Sequence, residues 1–216
     1  MRQVILGLYA SPPEPLPFGP QLEVRAFLLE RARGNLLIYR AATVEREREA
    51  LVELGGVSRQ YLNHGHEAAP VCDWVAATFG AALDCHEADA AAVGQVCAVA
   101  GTFAERHLLD TDFEIIPTPG HTPGATAYLW DSGEHRCLFT GDTLQPRDDR
   151  WIAVLPDGGD RDRYIDSLEL IRTLDFDVVV PWVTSAGQPF YRPVDRVEAE
   201  RQLDAVLARL RRGENH

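Results

Sequence analysis

Apolar and polar positions alternate over Val24–Glu30 and Asn35–Arg40, and Arg33-Gly34-Asn35 between them reads as the tight turn of a hairpin. Met1–Ala10 ahead of them reads as a first strand, followed by the Pro-rich segment Ser11–Pro20. Thr43 is placed to cap a helix over Val44–Leu54 that Gly55-Gly56 stops; Arg59–Leu62 then forms a short strand running into Asn63-His64-Gly65-His66. Helical spacing at Val71–Phe79 and Glu87–Val96, with a strand near Leu83-Asp84-Cys85, gives the middle third an α/β character. Further on, the pattern predicts strands at Asp112–Pro117, Ala125–Trp130 and Arg136–Thr140 and a polar loop over Gln145–Asp160. An amphipathic helix over Arg163–Leu174, the β-prone Asp177–Val180 and a closing helix over Val194–Arg212 complete the chain, which is expected to form a single α/β domain over residues 1–216.

Composition narrows the function classes. With 216 residues, 45% hydrophobic and 25% charged, the chain can bury a substantial core. Thirty-three acidic against twenty-one basic side chains give a net charge of −12, which argues against nucleic acid or an anionic membrane as partner. All the basic residues are arginine, so chemistry that needs a lysine Schiff base or a phosphate-loop lysine has no side chain to use. No apolar run approaches the roughly 20 residues of a membrane span, and the first ten residues make a weak secretory signal. Cys72, Cys85, Cys97 and Cys137 form no CxxC pair and are expected as buried, reduced thiols, in keeping with a cytoplasmic protein.

The residues that stand out are histidines. On an extended segment His64 and His66 point the same way and can aim two imidazoles at one point, with Gly65 leaving room for a metal ion; alone, such a pair also reads as two solvated side chains. Pro119-Gly120-His121-Thr122-Pro123-Gly124 is a rigid turn with a histidine at its apex. Asp142 in Thr140-Gly141-Asp142 sits just beyond a strand, where it can supply a hard oxygen ligand or act as a cap or turn residue.

In order, a strand leading to HxH, then PGHTPG, then TGD resembles the metallo-β-lactamase superfamily, in particular its glyoxalase II-like hydrolases, over nearly the whole chain. The resemblance implies a four-layer αβ/βα sandwich with metal ions held by loops at one edge. It implies His64, His66, His121 and Asp142 as metal ligands, with Asp142 also the catalytic carboxylate. It also shows a departure: the next two positions of the family motif HxHxDH fall on Ala68 and Ala69, and the late histidine falls at Pro181-Trp182-Val183. A complete first site thus stands beside a second site without its own ligands, which speaks for one divalent ion, zinc first and iron second, rather than two. Trp182 either fills the space of the second ion or is an ordinary core residue. Glu67, His86, Asp148, Asp149 and Ser185 have no spacing argument for ligation, and His86 is expected to pack or cap.

Three readings follow. The first is a one-metal hydrolase acting on a small ester or thioester. The second is a noncatalytic binding or interaction protein that keeps the fold, motivated by Ala68 and Ala69. The third, minor one is a mononuclear iron oxygenase using two histidines and a carboxylate. Arg147, Arg150, Arg161 and Arg192 are open either to an anionic substrate or to solvent, and Trp182–Tyr191 would offer a homodimer contact if exposed.

Overall fold

The computed structural model describes residues 1–17 and 19–215, and the chain divides into two compact units, Met1–Ala104 and Glu105–His216. The first unit is built from β1 (Arg2–Ile5), β2 (Leu8–Ala10), β3 (Glu14–Leu16), β4 (Gly19–Val24), β5 (Phe27–Leu29), β6 (Leu36–Ile38), α1 (Arg48–Glu53), β7 (Arg59–Tyr61), α2 (Val71–Phe79), β8 (Ala82–His86), α3 (Glu87–Val93) and β9 (Gly101–Phe103). Among the described residues it holds a seven-stranded sheet in the order β1-β2-β5-β6-β7-β8-β9. Pairing is antiparallel from β1 to β6 and parallel from β6 to β9. The parallel strands are joined through helices, as parallel pairs require.

The hairpin expected around Gly34 is β5–β6, in shorter strands. Met1–Ala10 is not one strand but the hairpin β1–β2, because Leu6-Gly7 is a turn. The helix expected over Val44–Leu54 is a 3-10 segment, Ala42–Glu47, followed by the short α1. Thr43 does not cap it, since its hydroxyl donates to the Pro12 carbonyl at 2.7 Å instead. Helix α2 has the expected bounds, and α3 is three residues shorter than expected, with Gly94 as its C-cap.

The second unit comprises β10 (His107–Leu109), β11 (Phe113–Pro117), β12 (Thr126–Asp131), β13 (Arg136–Gly141), β14 (Gln145–Arg147), β15 (Arg150–Ile152), α4 (Arg161–Thr173), β16 (Val178–Pro181), β17 (Val183–Ser185), β18 (Arg192–Pro193) and α5 (Arg196–Arg211). Among the described residues its sheet has six strands, β10-β11-β12-β13-β16-β18, with β13 and β16 parallel. Ile116, Leu129, Leu138 and Val179 line one face and form a core with Tyr164, Leu168 and Ile171 of α4 and Leu203, Val206, Leu207 and Leu210 of α5. Those spacings are one helical stripe each. Asp160 and Asp195 cap the two helices, accepting from the Arg163 and Glu198 amides.

The segment expected as a loop over Gln145–Asp160 contains the β14–β15 hairpin. What makes it a hairpin is burial its composition does not announce: Trp151 is fully buried and its amide donates to Gln202 Oε1 of α5 at 2.9 Å. Trp182 and Phe190 are buried too, so they offer no exposed apolar contact. All four cysteines are free and buried, as expected. No helix among the described residues is long and apolar enough to cross a membrane.

Candidate metal centre

In the first unit the candidate histidines follow the carboxyl end of the parallel strand β7, and in the second Asp142 follows that of β13, parallel to β16, where α/β folds place their ligands, while His121 lies in the turn between the antiparallel strands β11 and β12. In the first unit β7 leads to His64, which is still extended, but Gly65–Glu67 then turns into a single 3-10 turn. His64 and His66 are therefore brought together by a turn rather than by the alternation of a strand. Their rings meet edge to face with centroids 5.1 Å apart, His64 buried and His66 exposed.

The turn places Glu67 beside His64 instead of on the opposite side. Glu67 is fully buried; its Oε1 lies 3.2 Å from His64 Nδ1 and accepts the Asn63 amide at 2.9 Å. Asn63 Oδ1 is 2.8 Å from the same imidazole nitrogen. Because a carboxylate can only accept, Nδ1 is the protonated nitrogen, and in the neutral imidazole Nε2 carries the lone pair, the tautomer a metal ligand needs. The Gly65 amide donates to Asp89 Oδ2 of α3 at 2.8 Å. The atoms nearest to a Cβ at Gly65 would be those of Asp89, from 3.5 Å, an ordinary contact, so this glycine is not required by crowding. His86 accepts the Ala88 amide and caps α3, as anticipated.

In the second unit the PGHTPG turn joins β11 to β12 and is closed at its base by the Thr118 amide donating to the Ala125 carbonyl at 2.7 Å. Helix α4 holds it from outside: Ser167 Oγ donates to the Pro119 carbonyl at 2.7 Å and the Asp160 amide to the Gly120 carbonyl at 2.9 Å. Gly120 has φ +144, and a Cβ there would lie 2.5 Å from Tyr164 Cα. Glycine is what lets the turn approach the helix this closely. At the apex His121 Nδ1 lies 2.7 Å from the Val154 carbonyl, which fixes that nitrogen as the donor and leaves Nε2 to accept.

Asp142 follows β13 directly, turned by Gly141 at φ +55. Its Oδ2 is 3.8 Å from His121 Nε2, and its Oδ1 accepts from Gln145 Nε2 at 2.8 Å. Gln145 Oε1 in turn accepts from Arg147 at 3.0 Å. The parallel neighbour β16 ends at Pro181, and the Trp182 amide donates to the Gly141 carbonyl at 3.3 Å. An indole thus stands where the resemblance expects a ligand, next to the strand end that presents Asp142.

The sequence did not point to Glu67, Asn63, Asp89, Gln145 or Tyr164 as supports of these histidines and this aspartate. The i,i+3 spacing of His64 and Glu67 was a usable signal once a turn replaced the strand. Of the four arginines considered for an anion, Arg161 is taken by the Leu210 and Glu214 carbonyls and Arg192 by the Asp148 carbonyl.

The resemblance to the metallo-β-lactamase superfamily is borne out by comparison with known proteins, which do not single out the glyoxalase II-like branch. Residues 102–181 match the profile of the metallo-beta-lactamase superfamily. No curated protein sequence matches the chain. Among solved structures, the metallo-beta-lactamase from Pontibacter korlensis is similar with a TM-score of 0.72 at 15% identity, over 97% of each chain. ETHE1 from Myxococcus xanthus gives a TM-score of 0.66 at 21% identity, covering 86% of this chain and 80% of its own. The metallo-beta-lactamase GOB-18 from Elizabethkingia meningoseptica gives 0.62 at 15%, covering 89% and 88%. At such identities the likeness shows the fold alone, and that fold is the expected α/β metallo-β-lactamase fold.

Proposed function

Starting from a chain with the metallo-β-lactamase fold whose residues 102–181 match that superfamily, we propose that it is a one-metal hydrolase of small ester or thioester substrates. In this reading His64 and His66 of the first unit and His121 of the second would be the imidazole ligands, as the family resemblance implies, with Asp142 beside His121 as the carboxylate of the centre. The observation that carries the reading is the tautomer of two imidazoles. His64 and His121 each commit Nδ1 to oxygen acceptors and present Nε2 as a lone pair. Surface histidines have no need of such support; metal-ligating ones are oriented this way as a rule.

Three neutral imidazoles and a carboxylate suit zinc, and two imidazoles with the carboxylate suit iron. A bound zinc ion would ionise a coordinated water near neutral pH and polarise an acyl oxygen. The chain's own part is to hold the histidines in one tautomer and to keep Asp142 directed by Gln145. A noncatalytic binding role is the second reading, favoured by Ala68, Ala69 and Trp182 at positions where the family pattern has ligands.

Metal analysis by plasma mass spectrometry on chain produced with zinc and iron supplied tests the proposal, beside the double variant His64→Ala/His121→Ala. The expected result is about one ion per chain in the parent and none in the variant, with ester or thioester turnover lost in His121→Ala while the chain stays folded. A folded parent without metal, or equal turnover in both proteins, would overturn the hydrolase and leave the binding role. Iron in place of zinc would direct the assay to oxygen chemistry.

A further inference from the structure

One buried hydroxyl joins the two parts of the second-unit half-site. Tyr164 lies on α4, fully buried, with its ring under the PGHTPG turn. Its hydroxyl accepts the Val154 amide at 3.0 Å and sits 2.6 Å from the Thr143 carbonyl and 3.1 Å from the Asp142 carbonyl. Carbonyls only accept, so the phenol donates toward the loop that carries Asp142 while receiving from the peptide after β15. That same residue, Val154, offers its carbonyl to His121 Nδ1 at 2.7 Å. The path from His121 to the Asp142 loop is therefore imidazole, Val154 main chain, Tyr164 hydroxyl, Thr143 and Asp142 main chain, with every member buried except the half-buried Val154.

We infer that Tyr164 is a positioning residue for the metal centre, whose hydroxyl fixes the His121 tautomer and its place relative to Asp142. The inference rests on the metal reading above for its purpose but not for its geometry. Phenylalanine would fill the same core space without any of the three main-chain bonds, so the hydroxyl's contribution can be separated from packing. The van der Waals contact with Gly120 and the packing against Leu168 and Ile171 would survive in phenylalanine.

The test is Tyr164→Phe in the full chain, read in two ways. In the metal-free protein, imidazole nitrogen shifts by NMR report the His121 tautomer: one form, protonated on Nδ1, is expected in the parent and a mixture in Tyr164→Phe. Ser167→Ala, which unties α4 from Pro119 but keeps the phenol, is expected to retain the single form. In the second reading, competition with a chromophoric chelator measures zinc affinity, expected to weaken by about 10- to 100-fold in Tyr164→Phe. A single His121 tautomer in Tyr164→Phe would overturn the inference whatever the zinc affinity. A parent that binds no zinc would overturn the metal reading alone, and the tautomer would still decide the role of Tyr164. If the phenylalanine chain does not fold, hydrogen exchange in the parent decides. One common opening rate for the Val154 amide and the His121 Nδ1 proton supports the link, and unrelated rates overturn it.

Discussion

The two half-sites are held by different chemistry. In the first unit the His64–His66 turn hangs on side-chain oxygens, Glu67 and Asn63 at the imidazole and Asp89 at the Gly65 amide. In the second unit His121 and Asp142 hang mainly on main-chain groups, on a glycine with a left-handed φ and on one phenol. Side-chain acceptors can be deleted one at a time, and each deletion strands a buried donor. Main-chain acceptors cannot be deleted, so that half-site is exposed to change chiefly where an atom is added or its few side-chain supports are lost.

The largest effect expected from this contrast is at Gly120. An alanine there takes on an unfavourable φ and a Cβ within 2.5 Å of the α4 backbone, and should cost about 4 kcal/mol in urea unfolding or prevent the second unit from folding. A cost under about 1 kcal/mol would break the comparison on that side. Next comes Glu67→Ala, which strands the Asn63 amide in a buried turn and leaves the His64 imidazole with Asn63 Oδ1 alone; about 2 kcal/mol is expected by thermal unfolding. Glu67→Gln, which keeps an acceptor, should recover most of that loss. A smaller effect is expected from Gln145→Leu, which removes the bond to Asp142 Oδ1. It should leave stability within about 1 kcal/mol of the parent and weaken zinc binding about tenfold in chelator competition. Away from the half-sites the contrast should vanish. Burial pushes the thiols of Cys85 in the first unit and Cys137 in the second up to about 12, so both should resist iodoacetamide at neutral pH until the chain is unfolded.

Where one periodicity ruled a segment, the elements were legible. Helix α2 is bracketed by Pro70 and Gly80, and β11 and β12 lie within one residue of their expected bounds. The short strands β9, β10, β14 and β15 were not, because three-residue strands carry too little pattern and their pairing partners decide them. The candidate ligands were legible as a motif, but their geometry was not: the strand alternation expected to join His64 and His66 is replaced by a turn. Their supports were invisible for a physical reason. Gly65 finds Asp89 24 residues on and His121 finds Val154 33 residues on, and one of those acceptors is a carbonyl that any residue would provide.

The indole at 182 bears on how this chain could change. Restoring the ligands that the family pattern expects would take an acid at Ala68, a histidine at Ala69 and another histidine near 182. Ala68 and Ala69 are only half-buried and can grow, whereas Trp182 is 5% exposed and bonded through its amide to the end of β13. Exchanging that indole for an imidazole leaves a void costing about 3 kcal/mol before any ligand set is complete. A two-ion centre is thus separated from the present sequence by a dip in stability, and a lineage moving one residue at a time would meet that dip as a ratchet.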